Sequence, residues 1–106
     1  QVHVTYLDQV KSGARQLYAD LVQGMTQTRL YSKSDILKMI RAALDGLASY
    51  QPIFTDQDRV DLVQRLTRQI SITTEQDLKT ALTQLRDAIE YRRSRTQDEQ
   101  AIKRRS

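Results

Sequence analysis

Three stretches decide the fold of this chain: Tyr31-Ser-Lys-Ser-Asp-Ile-Leu-Lys-Met-Ile40, Tyr50-Gln-Pro-Ile-Phe-Thr-Asp-Gln-Asp58 and Ile72-Thr-Thr-Glu-Gln-Asp-Leu78. Each places a Ser or Thr three residues before an acidic or amide side chain, ahead of apolar residues at helical spacing. A hydroxyl in this position accepts a hydrogen bond from a free backbone N–H of the first helical turn, and the partner side chain can bond back. The three stretches therefore predict the starts of three helices.

Apolar residues that recur every three or four positions add a fourth helix, the first in the chain. The predicted helices run from about Val4 to Met25, from about Lys33 to Ser49, from about Asp56 to Ile70, and from Thr73 or Thr74 through Arg93, with continuation beyond Arg93 left open. Pro52 ends the second helix by Tyr50, because proline disfavours helical backbone in the residue before it.

The predicted inner face of each helix is its apolar stripe. In the first helix this stripe is Val4, Leu7, Val10, Ala14, Leu17, Leu21 and Met25, widened by Tyr18 and Val22. The stripe of the second helix is Ile36, Ile40, Ala43, Leu44 and Leu47, and that of the third is Val60, Val63, Leu66 and Ile70. The stripe of the fourth helix is Leu78, Ala81, Leu82, Leu85, Ala88 and Ile89. Leu62 is expected off its stripe, toward a neighbouring helix. Gly24 is expected to mark fraying near the end of the first helix.

Short links between the helices favour an all-α fold, an antiparallel up-and-down four-helix bundle with a basic, flexible C-terminal tail. We expect one bundle domain over residues 1–93 and a tail over residues 94–106 that is disordered or loosely helical. The tail offers only Ala101 and Ile102 to a core. The alternation typical of strands is absent.

Length and composition narrow the class of protein. A chain of 106 residues makes one domain with a modest core. It has no Cys, and no apolar run approaches the roughly 18 residues that would suggest a bilayer span. No charged-then-apolar leader opens it, so we expect no export signal and a cytoplasmic location, although a processed start stays open because the first residue is not Met.

The positive charge is concentrated at one end of the chain. Residues 1–91 carry 11 Lys or Arg and 11 Asp or Glu, whereas residues 92–106 carry six basic and two acidic residues, which is the whole net charge of +4. A neutral body with a basic end suggests contact with something acidic, such as a membrane surface. A merely solvated terminus is the other interpretation.

Candidate chemical groups are few, and we expect no catalytic residue, no metal ligand, no cofactor and no enzyme activity. His3 is the only histidine and has no ligand at a useful helical offset. Asp56, Asp58 and Asp61 could form a cation or acid–base site, but carboxylates at a helix start also complement the helix dipole. The three glycines are scattered and form no phosphate loop.

Two further surfaces each have a functional and a structural interpretation. Arg65, Arg68, Lys79 and Arg86 could contact phosphate, or form a mixed solvated face, since Asp77, Asp87 and Glu90 interrupt them. Tyr50, Ile53 and Phe54 could form an exposed apolar patch for a partner. Alternatively, Phe54 could fold back onto Val60 or Leu47 and close the end of the core.

The order of these signals resembles a known family. It begins with Ala14-Arg-Gln-Leu-Tyr-Ala-Asp-Leu21 and the stretch from Tyr31 to Ile40, and continues with the break at Tyr50-Gln-Pro52, Leu62-Val-Gln-Arg-Leu-Thr-Arg-Gln-Ile70 and Leu85-Arg-Asp-Ala-Ile89. This pattern is similar to the immunity proteins that accompany class IIa, pediocin-like bacteriocins in lactic acid bacteria, especially the enterocin A type. The likeness covers about residues 10–90 and contains no catalytic motif.

The resemblance implies a small cytosolic four-helix bundle that protects its cell from a pore-forming peptide, which makes it an antimicrobial resistance protein. Proteins of this kind engage the bacteriocin-occupied mannose phosphotransferase permease at the inner face of the membrane. Their selectivity lies mostly in the C-terminal half. Proximity to the membrane periphery is compatible with this expectation, and the oligomeric state is left open.

We therefore expect a partner-binding site at the C-terminal end of the chain. The candidate residues are Tyr91, Arg92, Arg93, Arg95, Lys103, Arg104 and Arg105. Tyr91 leaves the apolar stripe of the last helix and is a plausible aromatic anchor. The alternative function is a small helical nucleic-acid-binding or scaffolding subunit, whereas the immunity interpretation requires no nucleic acid.

Overall fold

The computed structural model describes the backbone of residues 2–105 and the side chains of residues 7–90. It contains four α-helices: α1 (Val2–Met25), α2 (Lys33–Tyr50), α3 (Asp56–Ile72) and α4 (Gln76–Arg105), with one 3-10 turn, Gln51–Ile53, between α2 and α3. Over the described backbone there is no strand. The predicted all-α fold with four helices is confirmed.

Two of the predicted helix starts are confirmed in atomic detail. The Ser32 Oγ accepts a hydrogen bond of 3.2 Å from the backbone N–H of Asp35 at the start of α2. At the start of α3, the Asp58 N–H donates to the Thr55 Oγ1 at 3.0 Å, and the Thr55 N–H donates to the Asp58 carboxylate at 2.8 Å. This reciprocal pair is a capping box, which fixes the point at which the chain turns into α3.

The predicted start of α4 is wrong by two to three residues. Thr73 does not cap α4; its hydroxyl donates to the Gln69 carbonyl at 2.6 Å, and its N–H donates to the Ile70 carbonyl at 3.2 Å. These bonds satisfy free carbonyls at the end of α3, which therefore runs to Ile72. The first turn of α4 begins only at Gln76.

Contacts between the helices establish an up-down-up-down bundle. The α1–α2 pair is antiparallel, because Tyr18 reaches Ala43 while Gly24, farther along α1, lies against Met39. In the same way, α3 and α4 form an antiparallel hairpin across their short link. The predicted up-and-down four-helix bundle is confirmed.

The two hairpins pack side by side, with α2 against α4 and α1 against α3. The α2–α4 pair is parallel: Lys33 and Asp77 meet near their starts, and Gln51 reaches Ile89 farther along. Among the described residues, the packing therefore runs around the bundle in the order α1, α2, α4, α3.

One continuous apolar core fills the space between the helices. Each helix contributes residues three or four positions apart, and complete burial of a large aliphatic side chain stabilises the fold by about 1.5–3 kcal/mol. The core consists of Tyr18, Val22, Met25, Ile36, Ile40, Ala43, Leu47, Phe54, Leu62, Leu66, Ile70, Leu78, Leu82, Leu85 and Ile89. Leu62, predicted to lie off its stripe and toward a neighbouring helix, is buried, whereas Val60, predicted on the inner face, is exposed.

The inner face of α1 is the largest error of the sequence prediction. Tyr18, Val22 and Met25 face the core, as three of the nine predicted positions require, but Leu7, Val10 and Leu17 are exposed. Leu7 lies about five turns from Met25 and so continues the core-facing stripe beyond the level at which α2 ends and α3 begins, whereas Val10 and Leu17 lie to one side of that stripe. Gly24 is buried in the last turn of α1, which ends one residue later at Met25, and the predicted fraying there stays a prediction.

The α2–α3 connection marks one end of the bundle. Arg15 of α1 pairs there with Asp58 at 3.2 Å, and the Gln51 side chain reaches the carbonyl of Ile89 in α4 at 3.4 Å. Both α1 and α4 continue past this level, α1 by about 18 Å of helix over residues 2–13 and α4 by about 24 Å over residues 90–105. We call this region the projecting end.

The backbone of α4 is continuous across Arg93, the predicted limit of the bundle domain, and is helical as far as Arg105. The side chains of residues 94–106 lie outside the described ones. The separation into a bundle over residues 1–93 and a flexible tail over residues 94–106 therefore stays a prediction.

Candidate functional site: the projecting end of the bundle

The seven predicted site residues all lie on the part of α4 that belongs to the projecting end. They are Tyr91, Arg92, Arg93, Arg95, Lys103, Arg104 and Arg105. Their backbone is helical, and their side chains lie outside the described residues 7–90. The structure thus places the basic segment on a helix, and its contacts stay predictions.

The N-terminal half of α1 lies at the same end. Every residue from 7 to 13 is exposed, so this part of α1 is uncovered by the rest of the described side chains. Leu7, Val10 and Leu17 keep 42%, 51% and 65% of their surface exposed. Spacings of three and seven residues place them on one face of the helix. We call these three residues the exposed α1 stripe; sequence reasoning had assigned them to the core.

The base of the projecting end is rigidly packed. The rings of Tyr18, Tyr50 and Phe54 form a cluster, with centroids 4.9 Å apart for Tyr18–Tyr50 and 5.1 Å for Tyr18–Phe54. Phe54 is buried, and Tyr50 and Ile53 are half-buried. This segment therefore closes the end of the core, and the alternative of an exposed apolar patch does not hold. Phe54 packs on Tyr18 and Tyr50.

A buried amide, which sequence reasoning missed, ties the base of the projecting end together. The Gln51 side chain donates to the Ile89 carbonyl at 3.4 Å and accepts from the Arg59 Nε at 3.3 Å. Arg59 also donates to the backbone carbonyl of Gln51 at 3.1 Å. Gln51 is buried, so these bonds satisfy polar groups that are shielded from water. They fix the point from which α4 continues outward.

The acidic cluster at the start of α3 serves the helix and its neighbours. Asp58 closes the capping box and pairs with Arg15, Asp56 pairs with Arg59 at 3.2 Å, and Asp61 accepts a bond of 2.8 Å from Gln57. Each carboxylate thus has its own partner. Within the described residues, no group of three His, Asp or Glu side chains could hold a metal ion. His3 lies outside the described side chains.

A groove of about 240 Å³ separates α1 from α3 just above the projecting end. Its walls mix basic and acidic side chains, Arg15 and Arg65 against Asp58 and Asp61. Arg86 on α4 also has an acidic neighbour, since its Nε lies 3.1 Å from Asp87. Arg65 and Arg86, two of the four basic residues considered for phosphate contact, thus have carboxylates close by, and the choice between a mixed solvated face and a phosphate surface stays a prediction.

The opposite end of the bundle carries an ion-pair cluster. The Lys33 Nζ lies 3.1 Å from Asp77 and 3.5 Å from Glu75, and so joins the starts of α2 and α4. The hydrogen bond to Asp77 raises the pKa of Lys33, and the same bond holds the pKa of Asp77 below its ordinary value. Beside the cluster is a groove of about 310 Å³ with Tyr31 and Ile72 among its lining residues.

A third groove, of about 490 Å³, runs between α2 and α4. Leu37, Leu44 and Ala81 provide its apolar surface, and Lys38 and Arg41 lie at its edge. Arg41 has Asp45 at 3.8 Å. The groove is a feature of helix packing, distant from the projecting end.

Comparisons with known proteins give no match, either to a family model, to a curated protein or to a solved structure. Across the described residues, none of the helices combines the length and the apolar character that a membrane-spanning segment needs.

Proposed function

We propose that this chain is an immunity protein that protects a cell against a pore-forming class IIa bacteriocin. It acts at the inner face of the membrane by binding the bacteriocin-occupied receptor, the mannose phosphotransferase permease. It works by association, without catalysing a reaction, and needs no cofactor.

One observation carries this proposal: the segments that resemble the immunity proteins coincide with the elements of the bundle. The stretch from Tyr31 to Ile40 forms the capped start of α2, and Tyr50-Gln-Pro52 forms the break after it. The segment from Leu62 to Ile70 supplies the core side of α3, and Leu85 and Ile89 supply that of α4. The segments that carry the likeness in sequence thus lie at the helix starts, the break and the buried faces of this chain.

The projecting end is the surface proposed for the receptor. It combines the basic segment of α4, residues 92–105, with an exposed part of α1. Both extend from the packed base around Gln51 and Phe54. The α3–α4 hairpin also belongs to the C-terminal half, to which the resemblance assigns selectivity.

Expression in a bacteriocin-sensitive strain that carries the permease tests the proposal. Cells with the chain should survive at least one of a panel of pediocin-like peptides at concentrations that kill cells with the empty vector. A tagged chain should retain the permease from detergent extracts only when the active peptide was added first. Failure to protect against every peptide, with the chain present in soluble and folded form, would overturn it.

A salt titration separates this function from the alternative of a nucleic-acid-binding subunit. Phosphate binding by several cations weakens steeply as salt rises, because counterions are released. We expect negligible association with generic RNA or duplex DNA near physiological salt. Tight binding with a steep salt dependence would favour the alternative instead.

A further inference from the structure

The exposed α1 stripe is the feature of this fold that packing leaves unexplained. Leu7, Val10 and Leu17 lie on one helix face, with the half-buried Ala14 between them. Scattered exposed apolar residues are ordinary, but an aligned set on an uncovered stretch of helix marks a surface that another body covers.

The topology places Leu7 and Val10 of this stripe at the same end as the basic segment, and Leu17 about one turn nearer the bundle, beside the base of that end. Arg15 lies beside Asp58 at the start of α3, and Ile89 lies beside Gln51, so the level at which α1 enters the bundle is also the level at which α4 leaves it. The net charge of +4 over residues 92–106 therefore belongs to the end that carries the exposed apolar stripe.

We propose that the projecting end docks on an anionic lipid bilayer. The exposed α1 stripe enters the boundary between headgroups and acyl chains, and the basic segment of α4 attracts the anionic headgroups. This docking deepens the proposed function and rests on it for the cellular location, because it would bring the protein to the membrane in which the receptor lies.

Charge complementarity favours lipid over a second copy of the chain. A symmetric dimer through this end would bring two segments of charge +4 together, whereas an anionic surface neutralises them. One weak membrane-binding element alone gives only marginal binding, whereas an apolar contact combined with a basic patch gives stable binding. The three stripe residues alone are too few to insert a helix deeply, so the docking is reversible.

Cosedimentation of the full-length chain with vesicles tests the proposal. One set contains equal parts of phosphatidylglycerol and phosphatidylcholine, and the other contains phosphatidylcholine alone. We expect binding to the anionic set that weakens as salt rises, and little binding to the neutral set. The triple variant Leu7→Ser, Val10→Ser, Leu17→Ser should bind the anionic vesicles about tenfold less tightly or weaker, because it loses three apolar contacts.

The matched control is the double variant Leu30→Ser, Ile72→Ser, which removes apolar side chains of 72% and 67% exposure from the opposite end. It should bind like the unaltered chain. Circular dichroism checks that the variants fold, and the single variant Leu17→Ser repeats the test if the triple variant does not. Absent binding to anionic vesicles, unchanged binding by the stripe variants, or an equal loss in the control would each overturn the proposal.

Two other outcomes are informative. The unaltered chain could form a dimer that the stripe variants do not form, and fail to bind vesicles. That result would identify the stripe as a dimer interface and overturn the lipid docking. Because the vesicles contain neither permease nor peptide, failure of the immunity assay leaves the vesicle result standing. Protection without vesicle binding would overturn only the docking.

Discussion

The hydroxyl of Tyr18 donates a hydrogen bond of 2.7 Å to the backbone carbonyl of Ala43 and so joins α1 to the middle of α2. Burial of this phenol raises its pKa well above the usual range, and Tyr50 nearby adds to the shift. Tyr18 therefore stays protonated at neutral pH and can donate this hydrogen bond. It also anchors the aromatic cluster at the base of the projecting end.

Replacing Tyr18 with Phe should lower the free energy of unfolding by about 0.5–1.5 kcal/mol, because the ring packing survives and only the hydrogen bond is lost. Urea denaturation followed by circular dichroism measures the change. Tyr31→Phe, at a partly exposed position, serves as the control and should have little effect. Equal stability of Tyr18→Phe and the unaltered chain would show that the bond contributes nothing.

Leu66 tests the position of the core. It is fully buried in α3, so Leu66→Ala should lower the free energy of unfolding by about 2–5 kcal/mol through lost apolar contact and a cavity. Leu30→Ala removes the same atoms from an exposed loop and should change stability by less than about 0.5 kcal/mol. Similar losses in both variants, measured by chemical denaturation, would contradict the packing described.

Lys33→Gln tests the ion-pair cluster at the opposite end. The hydrogen bond from Lys33 depresses the pKa of Asp77, so removing the ammonium should raise that pKa toward its ordinary value. Carboxyl chemical shifts from an NMR titration report it directly. Lys38→Gln, which removes a positive charge from the same helix, should leave the titration of Asp77 nearly unchanged.

The direction in which stability changes with pH follows from the pKa shifts of Asp77 and Lys33. Because the pKa of Asp77 is lowered by folding, its contribution to stability is present above the unfolded-state pKa and is lost as pH falls through the folded value. The pKa of Lys33 is raised by folding, so its contribution is lost as pH rises through the folded value. The free energy of unfolding of Lys33→Gln should therefore depend less on pH at both the acidic and the alkaline end of the range. An unchanged pH dependence would mean that the ion-pair cluster contributes no net stability.

Gly13 and Gly24 of α1 allow the same substitution, glycine to alanine, to be compared at an open and at a closely packed position. A methyl group at Gly13 would meet no atom within 4 Å, so Gly13→Ala should stabilise the protein by about 0.5–1 kcal/mol through helix propensity. At Gly24 the methyl carbon would lie 2.8 Å from the Met39 Cε, which must move. Gly24→Ala should therefore stabilise less than Gly13→Ala in chemical denaturation. The reverse order would show that α1 and α2 are farther apart than described.

Local signals explain which parts of the fold could be predicted. The Ser32 cap, the Thr55–Asp58 capping box and the break before Pro52 depend on residues a few positions apart, and each lies where expected. The bundle followed from these signals and the short links. Thr73 was misassigned because its hydroxyl could serve the end of α3 or the start of α4, and only the folded backbone decides between them.

Features that depend on distant residues could not be predicted. The apolar positions of α1 form one broad face, and burial within it depends on where the other helices lie. Leu7 is in phase with Met25 but lies beyond the packed part of the bundle, and Val10 and Leu17 lie to one side of the buried positions. The contacts of Gln51 with Arg59 and Ile89 join three separate elements, so a lone amide near a proline carried no signal for them. The exposed α1 stripe emerged only from the structure, and the predicted basic residues of α4 still await a test.

The protection assay with charge-reversal variants tests the central claim most directly. The full-length chain should raise the concentration of at least one class IIa peptide that kills a sensitive strain. Arg92→Glu, Arg93→Glu and Arg95→Glu together should reduce that protection without lowering the melting temperature much. Arg29→Glu, Lys38→Glu and Arg41→Glu, an equal change of charge at exposed positions of the N-terminal half and away from the projecting end, should retain it. No protection against any peptide by the folded full-length chain would contradict the immunity function, and full protection by the first variant would remove the basic segment from the site.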